Sequence, residues 1–196
     1  MRVIAGSFRS RVLQAPAGLA TRPTSDRLRE TLFNVLAPRI EGARFLDLYA
    51  GSGAVGIEAL SRGAGEVVLV ERAAPALKML RANLDGLGLR AGFRIVTGSV
   101  AAFLRNAEGG GKFDLVFLDP PYDAADEYST VLGLLGGTAA GTLAAGGLAI
   151  AEHRRKEKLE DRYGGLSRTR LLEQGDAALS FYAAAKVTAE ELDGQR

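Results

Sequence analysis

Two stretches of the chain gather groups able to do chemistry. In LDLYAGSGAVGIEAL, residues 46–60, Gly51, Gly53 and Gly56 spell GxGxxG, and Glu71 follows twenty residues after Gly51. Without Cβ atoms at Gly51 and Gly53 the backbone can approach a ligand closely, and an acid ending the next strand can accept both hydrogens of a ribose diol. That combination calls for a nucleotide-like cofactor and suits NAD and S-adenosylmethionine (SAM) alike. Asp47 leans towards SAM, because a carboxylate beneath the glycine loop can hold the ammonium of a methionine moiety, a cation that NAD lacks. A carboxylate that only bonds the loop amides would leave the same sequence.

The second stretch, FDLVFLDPPYD, residues 113–123, sets a carboxylate, two prolines and an aromatic ring directly after an apolar run. An exocyclic amino group on a nucleobase is a poor nucleophile because its lone pair is delocalised into the ring. Acceptors aimed at its two hydrogens, the Asp119 carboxylate and the Pro120 carbonyl, draw it towards tetrahedral geometry and free the lone pair for in-line attack on a sulfonium methyl. Pro120 and Pro121 fix φ and hold that carbonyl in place, while Tyr122 can stack on the target base. Taken alone, the tetrapeptide also suits a rigid strand-to-loop turn with Tyr122 in the core.

Those groups must be positioned by alternating elements. From Arg44 onward, strands over 44–49, 66–71, 93–97, 113–118 and 147–152 alternate with helices over 54–62, 75–85, 100–106 and 125–135. Repeated βα order implies a parallel sheet covered by helices on both faces. Gly63 and Gly86 sit where C-caps belong and Pro75 where a helix begins. Residues 166–173 and 178–186 read as an antiparallel hairpin at the sheet edge. Before all this, residues 2–5 and 11–14 suggest a small hairpin, and a helix starts at Thr24 or Ser25 with Leu28, Leu32, Val35 and Leu36 at helical spacing. On that spacing Arg27 and Arg29 need not lie on the buried stripe. Gly109–Gly111 and the segment from Gly136 to Gly147 read as surface connections.

Composition narrows the chemistry. The 196 residues include no Cys and one His, which excludes disulfides, a cysteine nucleophile and a multi-His metal site, so no metal is expected. His153, in the charged run His153-Arg154-Arg155-Lys156, reads as part of a solvated loop. No run approaches the roughly 18 apolar residues of a membrane span, and MRVIAGSFRSR lacks a secretory apolar region; the expectation is a cytoplasmic protein with no membrane association. Residues 1–44 carry eight Arg against three acids, whereas acids exceed bases in the remainder. Guanidinium groups suit bidentate phosphate contact, so Arg9, Arg11, Arg22, Arg27 and Arg29 are candidate RNA-binding residues.

The glycine loop, Glu71 and DPPY, in this order, resemble a class I SAM-dependent amino-methyltransferase. With RVIAGSFRSRVL at the front and RPTSDRLRETLFNVLAP over residues 22–38, the chain resembles the RsmD family, whose members methylate N2 of one guanine in 16S ribosomal RNA. The likeness covers nearly the whole chain and weakens after about Arg155. It implies a doubly wound, Rossmann-like α/β fold: a seven-stranded SAM-methyltransferase sheet with an antiparallel C-terminal hairpin and a small N-terminal hairpin and helix extension. The corresponding boundaries are 1–40 for the RNA-facing extension, 41–187 for the methyltransferase domain and 188–196 for a tail. Gly51, Gly53 and Glu71 would contact SAM, the methyl donor, together with Asp47, Ser99 and Val100. Ser99 stands where related enzymes often carry Asp or Asn for the adenine amino group. Asp119, Pro120, Pro121 and Tyr122 would hold the guanine, and the partner would be 16S rRNA in the small subunit, met by a monomer. Three other readings remain: an N6-adenine methyltransferase on DNA or RNA, an NAD-dependent oxidoreductase, and a non-catalytic RNA-binding protein.

Overall fold

The apolar runs at 45–48, 67–70 and 115–118 are buried on both faces, the pattern of parallel strands covered by helices on each side. The computed structural model describes residues 1–15, 23–106, 112–121 and 126–185. In chain order the elements are α1 (Pro23–Ile40), β1 (Arg44–Asp47), α2 (Ala54–Ser61), β2 (Glu66–Glu71), α3 (Ala74–Gly86), β3 (Phe93–Thr97), α4 (Val100–Arg105), β4 (Phe113–Leu118), α5 (Asp126–Leu135), β5 (Leu143–Arg154), β6 (Arg162–Tyr163), β7 (Leu166–Gln174) and β8 (Ala177–Ala184). They build one sheet in the order β3-β2-β1-β4-β5-β8-β7-β6. Strands β1 to β5 are parallel, and β8, β7 and β6 follow antiparallel. The order reverses between β1 and β4, and the carboxyl ends of those strands open the crevice where doubly wound folds bind ligands.

Helices α1, α2 and α3 cover one face of the sheet, burying Leu28, Leu32, Phe33, Leu36, Ile57, Leu80 and Leu84 with Phe45 and Val67. Helices α4 and α5 cover the other with Val100, Leu104, Tyr128, Val131 and Leu132. The doubly wound architecture is as expected; three details differ. The sheet has an eighth strand, β6, which pairs only Arg162 and Tyr163 with β7. Strand β5 starts at Leu143 rather than 147 and runs to Arg154, so Gly146 and Gly147 lie within it beside an irregularity in its pairing with β4. After α3 the left-handed glycine is Gly88, at φ 71°, with Gly86 still helical. The glycines at 109–111 and the tail from 186 lie outside the described residues.

Residues 1–15 turn back at 6–10, joined by a single antiparallel bridge between Arg2 and Val12. Side chains of α2 and α3 then fasten this arm. The fully buried Glu58 carboxylate accepts from Ile4 N (2.8 Å), Ala5 N (3.0 Å) and Arg62 Nε (2.7 Å). Ser61 Oγ accepts from Phe8 N and donates to Ala5 O. Gly6, at φ 83°, packs so closely that a Cβ there would fall 1.7 Å from Ser61 O. Asn83 accepts from Gln14 N (2.7 Å) and donates to Gln14 O (3.1 Å) and to Ser52 O (2.8 Å), linking the arm to the glycine loop.

Candidate active site

The glycine loop is shaped by the residues around it. Gly51 and Gly53 take positive φ values of 53° and 83°, conformations that favour glycine. The three glycines nevertheless have different jobs. A Cβ on Gly53 would meet Leu80 Cδ1 at 2.3 Å and one on Gly56 would meet Leu69 Cδ2 at 2.5 Å, so both are needed for helix packing. A Cβ on Gly51 would have only Tyr49 O near it, at 4.0 Å; the space before this residue is open to a ligand.

Two carboxylates hold the loop from below and from the side. Asp47 is buried and accepts from Gly56 N (3.1 Å) and from the Tyr49 amide. Burial is the main cause that pushes its pKa up to about 7; Asp119 and Glu71 add like-charge repulsion, and the two amide bonds oppose the rise. Glu71 accepts from Gly51 N (2.8 Å) on one oxygen and from Arg72 N (2.8 Å) and Ala73 N (2.7 Å) on the other. Three of a carboxylate's roughly four acceptor sites are thereby filled, which fixes Glu71 rigidly at the end of β2.

A cleft of about 560 Å³ opens over these strand ends, and Gly51, Glu71, Val100, Asp119, Pro120 and Pro121 all line it. The structure thus joins the two stretches singled out in the sequence. Asp119 follows β4 directly and is half-buried, Pro120 is buried, and Pro121 is exposed; Tyr122 lies outside the described residues. Among the lining residues not singled out in the sequence are three with polar or charged side chains, Tyr49, Arg72 and Glu127. Tyr49 Oη donates to Glu127 Oε2 at 2.7 Å, and burial together with that carboxylate raises the phenol pKa. Tyr49 comes two residues after β1 and Glu127 is the second residue of α5, an adjacency only the fold creates.

Several expected residues are placed otherwise. Asp47 is absent from the cleft lining and serves the loop amides, the second of the two roles its position allows. Ser99 Oγ accepts from Ala102 N (3.2 Å) as the N-cap of α4 and does not line the cleft. His153 is buried, not solvated, because β5 extends past it; its ring contacts Ser180 Oγ (2.9 Å) and Arg154 O (2.9 Å), and burial lowers its pKa.

The arginines divide sharply. Arg29 is 5% exposed and its guanidinium bonds Arg2 O (2.6 Å) and Asp26 (3.1 Å), with Glu58 3.9 Å away, so it braces the arm and offers nothing to RNA. Arg11 donates to Gly86 O (2.9 Å) at the end of α3. Arg9 is exposed, in the turn that Ser7 and Phe8 fix against Ser61. Ser61 ends α2, and a crossover helix runs back to the amino ends of the strands, so Arg9 stands at the edge of the sheet opposite Asp119. Arg27 is exposed on α1; Arg22 lies outside the described residues.

Comparison with known proteins agrees with this geometry. YlbH of Bacillus subtilis, described as a candidate rRNA methyltransferase, is 38% identical over 194 residues, spanning 93% of this chain and 98% of that protein. Ribosomal RNA small subunit methyltransferase D of Escherichia coli is 46% identical over 123 residues, an alignment that covers 62% of this chain and 60% of that protein. The solved structure of yhhF from Escherichia coli, described as a candidate methyltransferase, superposes with a TM-score of 0.80 at 34% identity, over 94% of this chain and 97% of that one. The family model for conserved hypothetical protein 95 matches residues 1–183, and the chain therefore belongs to that family, the RsmD family.

Proposed function

We propose that the protein transfers a methyl group from SAM to the N2 amino group of a guanine in small-subunit ribosomal RNA. The observation that carries this is a single cleft lined by both the glycine loop with Glu71 and the Asp119-Pro120-Pro121 turn. The cleft's charge favours a cationic cofactor: three carboxylates, Glu71, Asp119 and Glu127, line it against one guanidinium, Arg72, and that excess of negative charge suits a sulfonium and an ammonium better than a pyrophosphate. Open space before Gly51 suits the approach of SAM, and the acceptor position that the three backbone amides leave on Glu71 can take one ribose hydroxyl, not both.

SAM supplies an electrophilic methyl carbon bonded to sulfur. Asp119 accepts one amino hydrogen of the base and the Pro120 carbonyl the other, which turns the nitrogen lone pair towards that carbon. As the nitrogen–carbon bond forms, the carbon–sulfur bond breaks, and the proton that becomes acidic on nitrogen passes to Asp119 or to water. Tyr122 stacks on the base. The protein's contribution is orientation of two reactants, the effect behind large effective molarities. Small-subunit rRNA as acceptor follows the relatives named above.

Incubation with labelled SAM and unmodified small subunits, naked rRNA or DNA, followed by nucleoside analysis, tests the reading. We expect N2-methylguanosine from small-subunit rRNA, and Asp119→Ala lowering transfer at least tenfold with SAM affinity kept within about threefold. Label recovered as N6-methyladenosine would replace guanine by adenine, and tight NAD binding without SAM binding would end the proposal.

A further inference from the structure

The residues best placed to hold RNA beside the cleft are not those of the N-terminal arm. Leu118, the last residue of β4, pairs with Ala151 of β5. Strand β5 continues for three more residues to Arg154, so the turn after it stands beyond the level at which Asp119 leaves the sheet. That turn is fixed at both ends: Glu157 N donates to Arg154 O (2.9 Å), and Arg155 N donates to Asp176 O (2.8 Å) in the hairpin between β7 and β8. Arg155, Lys156 and Lys158 are exposed. None of them enters an ion pair among the described residues, whereas Arg29, Arg44, Arg62, Arg90 and Arg168 are paired.

Arg27 joins this edge. Thr31 Oγ1 donates to Gln174 Oε1 (2.9 Å) at the end of β7, and Arg39 bonds Gly146 O near the start of β5. Helix α1 thus runs opposite to β5, and its N-terminal end with Arg27 lies at the carboxyl edge. The acids in the same turn are Glu157, Glu160 and Asp161, and Arg168 already pairs with Asp161.

Building on the proposed RNA substrate, we propose that the turn 155–158, with Arg27, is the phosphate-binding surface that holds RNA flanking the target base, and that Arg9 takes no part. Phosphate contacts set register and orientation and make affinity fall with salt, and cations beside the catalytic edge do this where those at the far edge do not.

The full-length chain is titrated with small-subunit rRNA, naked and assembled, between 50 and 200 mM KCl, for wild type, an R155E/K156E/K158E variant and an Arg9→Glu control. We expect the triple variant to bind naked rRNA at least tenfold more weakly, with its log–log salt slope lower by about two to three and SAM affinity within twofold, while the control matches wild type. Unchanged rRNA affinity and slope in the triple variant, or a loss carried by the Arg9 variant, overturns the inference. So does a loss seen with assembled subunits alone, which would assign the turn to a ribosomal protein. Wild-type RNA binding without methyl transfer would instead sink the proposed function while leaving this surface standing.

Discussion

Asp47 shows how a single residue can tie the cofactor loop to pH. Its pKa, near 3.8 when unfolded, is pushed to about 7 in the fold chiefly by burial, so between those values the folded chain holds a proton that the unfolded chain does not. Folding stability from this source is complete below pH 4 and lost as pH rises through 7. Asp47→Asn cannot ionise but keeps an acceptor for Gly56 N. We expect urea denaturation to show wild type losing about 2–3 kcal/mol of stability between pH 5 and 8 relative to this variant; parallel pH profiles would refute the assignment. Residues whose task is local were legible in sequence. Glu71 ends β2, Asp119 and Pro120 follow β4 directly and Gly51 comes in the turn after β1, so the nearby strand dictates where each emerges. Tyr49 and Glu127 were not, because their bond joins positions 78 apart. His153 is hidden for the same reason: its charge-rich neighbours suggest solvent, but Ser180, remote in sequence, encloses it. Arg29 differs: it shares a buried helical stripe with Phe33 and Leu36, and Arg2 and Glu58, remote in sequence, supply the partners that let a guanidinium sit there.

At the scale of elements, the alternation of apolar runs and helical spacing marks β1 to β4 and α2 to α5 within about two residues, since each βα unit buries its own stripe, but it misses the first four residues of β5 and the two-residue β6. What the periodicity does not encode is how the N-terminal arm is held. The arm buries Val3 and Leu13 and packs Met1 and Phe8 against the core, and its polar fastening runs through Glu58, Ser61 and Asn83. Glu58 carries the greatest burden because it satisfies two arm amides, pairs with Arg62 at 2.7 Å and faces Arg29 at 3.9 Å. Removing one partner of a buried ion pair costs about 3–5 kcal/mol. Glu58→Ala is therefore expected to lower unfolding free energy by about 3 kcal/mol and to make residues 1–15 the first site of limited proteolysis. A variant that loses less than 1 kcal/mol and resists cleavage would show that the arm is held by Val3 and Leu13 instead. Asn83 extends the consequence to the cofactor, since its amide bonds both Gln14 and Ser52.

At the scale of the molecule the question is whether the front of the chain is an attachment to a methyltransferase domain or part of it. A boundary at residue 40 is natural in the sequence, where the excess of arginine ends, but charge distribution reports surface and says nothing of the core. In the structure Leu28, Leu32, Phe33 and Leu36 of α1 are each at most 1% exposed and share one cluster with Phe45, Ile57 and Val67, and Phe33 stacks on Phe45 with ring centroids 6.2 Å apart. At about 1.5–3 kcal/mol for each large apolar side chain, these four contribute roughly 6–12 kcal/mol. That is comparable with the whole stability of an ordinary domain, about 5–15 kcal/mol. A chain beginning at 41 would also expose the apolar faces of β1 and α2 and leave Glu58 without its arm amides and Arg29. The full-length protein should thus unfold in urea in one transition, with circular dichroism and tyrosine fluorescence superimposable, and the 41–196 fragment should show no cooperative transition and no SAM binding. A fragment that melts cooperatively and retains SAM affinity would establish residues 1–40 as a separable extension, and the buried face of α1 would then be an interface between two units instead of the centre of one.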